Sequence, residues 1–104
     1  MDKTRVFDLL VAAFAAPYVV PARGFGCGRA YVCLGKLDPK TASAVAAACK
    51  KLGKIFQRKA YYGLRNAIYV GYDNADGKAL AQSEAIAASL TTAGLPAYSE
   101  ACSD

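Results

Sequence analysis

Apolar side chains at Val6, Leu9, Leu10, Ala13, Phe14 and Pro17 recur at helical spacing and predict an amphipathic helix over residues 1–16. Pro17 and Pro21 then force an extended connection through Tyr18, Val19 and Val20. Beyond a glycine-rich run, Arg23-Gly24-Phe25-Gly26-Cys27-Gly28, residues 29–34 read as a strand: they are rich in β-branched and aromatic side chains and end at Gly35. Asp38-Pro39 opens a helix, with the aspartate as N-cap and the proline at the first helical position. Its apolar face is Ala42, Val45, Ala46, Cys49 and Leu52, and Gly53 stops it. Residues 54–62 fit either a continued helix or a strand, and the strand is favoured. Ala67 to Asp73 has the clearest strand pattern in the chain, with a turn at Asp73-Asn74-Ala75-Asp76-Gly77. A helix over 78–93 follows, ended by Gly94, and Pro96 leads into a last strand over 97–102.

The two halves resemble each other. Ala30-Tyr31-Val32 precedes a helix that stops at Gly53, and Ile68-Tyr69-Val70 precedes one that stops at Gly94. A strand-helix-strand unit read twice predicts β-α-β-β-α-β. That order resembles the ferredoxin-like fold, which implies an antiparallel sheet with two helices on one face. The expectation is therefore a single α+β domain over residues 1–104: an N-terminal helix (1–16) and a ferredoxin-like core (29–102). The resemblance is architectural and carries no function.

Composition narrows the chemistry. The 104 residues include no histidine, which removes the commonest general base and metal ligand and every Ser/His or Cys/His nucleophile pair. Only eight Asp and Glu are present. Asp73 and Asp76, the one close pair, read as turn and cap residues, since neither the glycine nor the closing acid of a calcium loop is in place. The four cysteines lack zinc-site or redox-motif spacing. Their apolar neighbours suit buried reduced thiols, with a disulfide from Cys27 to Cys33 or Cys102 as the alternative in an oxidising compartment. Lys3, Arg5 and Ala13-Phe14-Ala15 have the elements of a secretory leader, but Asp8 interrupts the apolar run and helical packing is preferred. No stretch approaches the length of a membrane span. The chain is thus expected to be a cytoplasmic, non-enzymatic binding protein without cofactor or metal.

Charge gives the binding a place. Residues 1–65 hold twelve Lys and Arg against three acids, whereas 66–104 hold one Lys against five acids. Lys50, Lys51, Lys54, Arg58, Lys59 and Arg65 lie close together and interleave with Tyr61 and Tyr62. Such a segment can contact phosphates while its rings stack on bases; its other reading is a solvated helix end and a lysine-guarded edge strand. Strand alternation puts Arg29, Tyr31 and Cys33 on one face and Ala30, Val32 and Leu34 on the other. It likewise separates Ile68, Val70 and Tyr72 from Ala67, Tyr69 and Gly71. With the aliphatic sets against the helices, Tyr31 and Tyr69 stand on the open face of the two central strands. RNA-recognition motifs carry stacking aromatics in that region. Arg23-Gly24-Phe25-Gly26 resembles the start of that family's octamer, but it precedes the first strand rather than lying on the third. Cys27, Gly28 and Ala30 also occupy its later positions. Gly24, Gly26 and Gly28 do not make a phosphate loop either, because a strand follows them instead of a helix.

Two partner classes follow. The first is nucleic acid or a nucleoprotein complex, met by the basic segment and the tyrosine-bearing face. The second is a protein, contacted by an adaptor or by a phage- or plasmid-type inhibitor such as an anti-CRISPR protein. A homodimer that uses the open sheet or the first helix is a third arrangement.

Overall fold

The computed structural model describes residues 1–20, 28–59 and 63–103. Its elements are α1 (Lys3–Phe14), β1 (Gly28–Cys33), α2 (Pro39–Leu52), β2 (Phe56–Lys59), β3 (Arg65–Asp73), α3 (Lys78–Thr92) and β4 (Tyr98–Ser103). The expected glycine-rich run over 23–27, Cys27, and the tyrosines at 61 and 62 lie outside the described residues. The four strands form one antiparallel sheet in the order β2-β3-β1-β4. The fold is α+β, with three helices and an open four-stranded sheet. Within the segment expected at 54–62, Phe56–Lys59 form a strand: Phe56 pairs with Ile68 and Gln57 with Ala67.

Local chemistry sets the boundaries. Asp2 caps α1 by accepting the Arg5 N–H at 2.9 Å, and Asp38 caps α2 by accepting the Thr41 N–H at 3.0 Å. The hydrogen bonding from Thr41 holds the exposed Asp38 carboxyl below the usual aspartate range. Gly53 ends α2 in the left-handed region, φ 71°, which glycine adopts without the steric penalty of a side chain. The cap of α3 comes from further away: Asp73, the last residue of β3, accepts the Ala79 and Leu80 N–H groups at 2.6 and 3.1 Å. Asp76 accepts the Lys78 N–H at 3.3 Å.

Asp73 is buried, and its two bonds satisfy helix-terminal donors that would otherwise lie unpaired in the protein interior. Asp73→Ala should lower the unfolding free energy by about 2 kcal/mol. Asp73→Asn, which keeps an acceptor, should lose roughly half as much. Urea denaturation of the three proteins checks this, and an Asp73→Ala variant as stable as the parent would contradict it.

A single core joins the helices to one face of the sheet. Val6, Leu10 and Ala13 of α1, Ala44, Val45, Ala48 and Cys49 of α2, and Ile86, Ala87 and Leu90 of α3 pack with Val32 and Ile68. α3 lies along β1, β3 and β4, while α1 packs on α2 and α3. The Arg5 guanidinium also reaches the Ala93 carbonyl at the end of α3, at 3.4 Å. The first helix is therefore integral to the domain, with Val6, Leu10 and Ala13 buried in the core.

The alternation expected for β3 fails halfway along. Pairing with β1 shifts register, with Ala30 opposite Gly71 but Tyr31 opposite Tyr69. Val70 is the extra residue of a β-bulge, and a bulge reverses the side-chain parity beyond it. Val70 packs against the helix-side core, and Gly71 also faces α3: a Cβ there would stand 3.3 Å from the Ala79 Cβ. Tyr72, expected on the helix side, is instead 47% exposed opposite Arg29. Asp73 turns inward, where it can cap α3. The bulge thus supplies both the cap and an extra tyrosine on the far face.

Candidate nucleic-acid interface

The sheet face away from the helices is built by register. Across β4, β1, β3 and β2, pairing aligns Cys102, Arg29 and Tyr72 in one row, and Glu100, Tyr31 and Tyr69 in the next. A third row holds Tyr98, Cys33, Ala67 and Gln57. Lys59 pairs with Arg65 at the outer end of β2 and β3. A second apolar cluster runs through this face: Tyr31, Cys33, Ala67 and Cys102, with Leu64 and Tyr69 against it.

Of the two tyrosines expected on this face, Tyr31 is 3% exposed and Tyr69 is half-buried. Their rings meet edge to face, with centroids 5.6 Å apart and planes at 65°. Tyr31 is therefore a floor for this surface rather than a free stacking ring. The outward aromatic surface comes from Tyr69, Tyr72 and Tyr98, with Ile55 beside them at 57% exposure. Tyr72, Tyr98, Ile55 and Gln57 were not among the residues expected there. The signal for Tyr72 was Gly71, since a glycine inside a strand marks a bulge.

The basic segment divides between two sides of the molecule. Lys50 and Lys51 occupy the last turn of α2, where cations complement the carbonyl end of the helix dipole. The Lys51 ammonium stands 5.5 Å from the Phe7 ring centre, and that of Lys54 stands 4.6 Å from Phe14. Both rings belong to α1. Arg58 lies 5.6 Å over Phe56, which packs against the helix-side core. These four cations sit on the helix side or its edge, whereas exposed Lys59 and Arg65 and half-buried Arg29 lie on the open sheet. The structure thus places Arg29, Lys59, Arg65, Tyr31 and Tyr69 on one face, with Arg29 and Lys59–Arg65 at opposite ends of it, and separates them from Lys50, Lys51, Lys54 and Arg58.

Lys59 opposite Arg65 is an unfavourable choice for stability, because like charges directly across two strands repel by roughly 0.2–1 kcal/mol. It is a favourable choice for holding an anion.

The cysteines among the described residues offer no competing chemistry. Cys33, Cys49 and Cys102 are buried and form no disulfide. Burial pushes the Cys33 thiol up to about 11, helped by the Glu100 charge, and burial likewise puts Cys49 at about 11. Both are neutral thiols at physiological pH. Native protein at pH 7 should leave Cys33, Cys49 and Cys102 unlabelled by a maleimide over a time in which the urea-unfolded chain reacts fully. Peptide mass mapping reads each site, and rapid native labelling of Cys33 would contradict the assignment. Among the described residues, no group of three or more Cys, Asp or Glu could hold a metal ion, and no helix is long and apolar enough to cross a membrane.

No protein-family model, no curated protein and no solved structure matches this chain.

Proposed function

We propose that this is a non-enzymatic, ferredoxin-like binding domain whose open sheet face recognises single-stranded nucleic acid, alone or within a nucleoprotein complex. The ferredoxin-like reading draws on the β-α-β-β-α-β order from β1 to β4 and the antiparallel pairing of β1 with β3. The observation that carries the function is the cross-strand pair Lys59–Arg65, on the same face as Arg29, Tyr69 and Tyr72. Cations there can neutralise phosphates, and aromatic rings further along the same face can stack on unpaired bases. The buried thiols suit a reducing cytoplasm.

Titration of a labelled single-stranded oligonucleotide at several salt concentrations tests the reading. The logarithm of the association constant should fall linearly with the logarithm of salt concentration. Absence of salt-dependent binding would overturn the proposal. A second reading, an inhibitor of the anti-CRISPR type or an adaptor, draws on exposed Ile55, Tyr72 and Tyr98, apolar and aromatic surface of the kind that protein interfaces favour. Partner capture from a host lysate that survives nuclease treatment would favour it.

A further inference from the structure

The open face is not flat. Arg29, Tyr31, Ile55, Gln57 and Tyr69 line a concavity of about 190 Å³ where β1 and β3 meet the start of β2. Buried Tyr31 forms its floor, fixed edge-on to Tyr69. The Tyr69 N–H donates to the Ile55 carbonyl at 2.9 Å, so the wall carrying Ile55 is tied to the central strand by backbone.

We propose that this notch receives one unpaired base of a bound single strand and that Gln57 reads the edge of that base. The inference rests on the nucleic-acid reading above and adds to it a subsite for one base. The notch is smaller than the pockets that enclose drug-sized ligands, which run to several hundred Å³. Its lining joins aromatic and aliphatic carbon to one amide and one guanidinium, the combination a flat base with a polar rim requires. A base inside a duplex would first have to leave its stack, at a penalty a single strand avoids.

Gln57 supplies an NH₂ donor beside a C=O acceptor. Adenine presents the complementary acceptor and donor side by side at N7 and N6, the pairing that glutamine makes bidentately. An unpaired thymine presents the same combination at O4 and N3–H, so Gln57 can hold either base by its edge. Lys59, two residues along β2 and about 7 Å away along the strand, and Arg65 opposite it lie where an adjacent phosphate of the same strand would pass.

The test uses the whole chain and three short oligonucleotides of equal length and charge: oligo(dA), oligo(dT) and an abasic strand. Gln57 is exposed on an edge strand, so Gln57→Ala leaves the core intact. The parent protein should bind oligo(dA) and oligo(dT) each about tenfold more tightly than the abasic strand, the effect of one stacked base. Gln57→Ala should lose most of the advantage that base-bearing strands have over the abasic strand. Equal binding of abasic and base-bearing strands, or an unchanged base-dependent advantage in Gln57→Ala, would overturn the notch and leave a surface that holds only the phosphate backbone. No binding to any strand, abasic included, would overturn both the notch and the reading it rests on.

Discussion

Replacing Leu10 by alanine should lower the unfolding free energy by about 3 kcal/mol, a large share of the stability of a domain this size. Leu10 is 0% exposed and shares one core with residues of all three helices and of β1 and β3. Truncation removes the buried carbons and leaves a cavity that α2 and α3 can only partly fill. The control lies one residue away: Val11 is 43% exposed, and Val11→Ala should stay within about 0.5 kcal/mol of the parent. Urea unfolding of the two variants separates an integral helix from an appended one. Equal, small losses would mean that α1 merely rests on the domain.

Changing Arg29, Lys59 and Arg65 together to alanine should weaken single-strand binding roughly hundredfold at 0.1 M salt and reduce the salt slope by about 2, if each cation neutralises one phosphate. The same changes on the helix side, Lys50, Lys51 and Lys54 to alanine, should leave both quantities near those of the parent. A single charge reversal sharpens the contrast. Lys59→Glu replaces a repulsive cross-strand pair with an attractive one, so it should raise stability by roughly a few tenths of a kcal/mol. It should nevertheless weaken binding. A residue whose loss stabilises the fold and harms binding is retained for binding, an opposition that a purely structural role would not produce.

The residues that announced the fold were those whose local chemistry is decisive. Asp38-Pro39 fixed the start of α2 and Gly53 its end, and the β-branched and aromatic runs around Val32 and Ile68 marked the two central strands. Segment 54–62 was ambiguous because Leu52, Phe56 and Ala60 keep a helical period. Pairing with β3, a long-range interaction that no local pattern contains, makes Phe56–Lys59 a strand.

The site was less legible for the same reason. Adjacency in sequence put Lys50, Lys51, Lys54 and Arg58 with Lys59 and Arg65. The chain, however, leaves α2 at Gly53 and enters the edge strand, so the group divides between the helix side and the open face. Strict period-two alternation put Tyr31 and Tyr69 on one face, where they are, and Tyr72 on the other, where it is not. The bulge at Val70 reverses the parity, and the strain-tolerant Gly71 beside it was the one local hint. The burial of Tyr31 depends on the packing of a second cluster along β1, β3 and β4, which alternation alone does not contain.

The most direct test of the open face as the binding surface is amide chemical-shift mapping of the isotope-labelled chain during titration with a short single-stranded oligonucleotide. The predicted result is a contiguous set of perturbed amides on β1, β2 and β3, centred on Arg29, Gln57, Lys59, Arg65, Tyr69 and Tyr72. Perturbations confined to Lys50, Lys51, Lys54 and α1, or none at all, would contradict it.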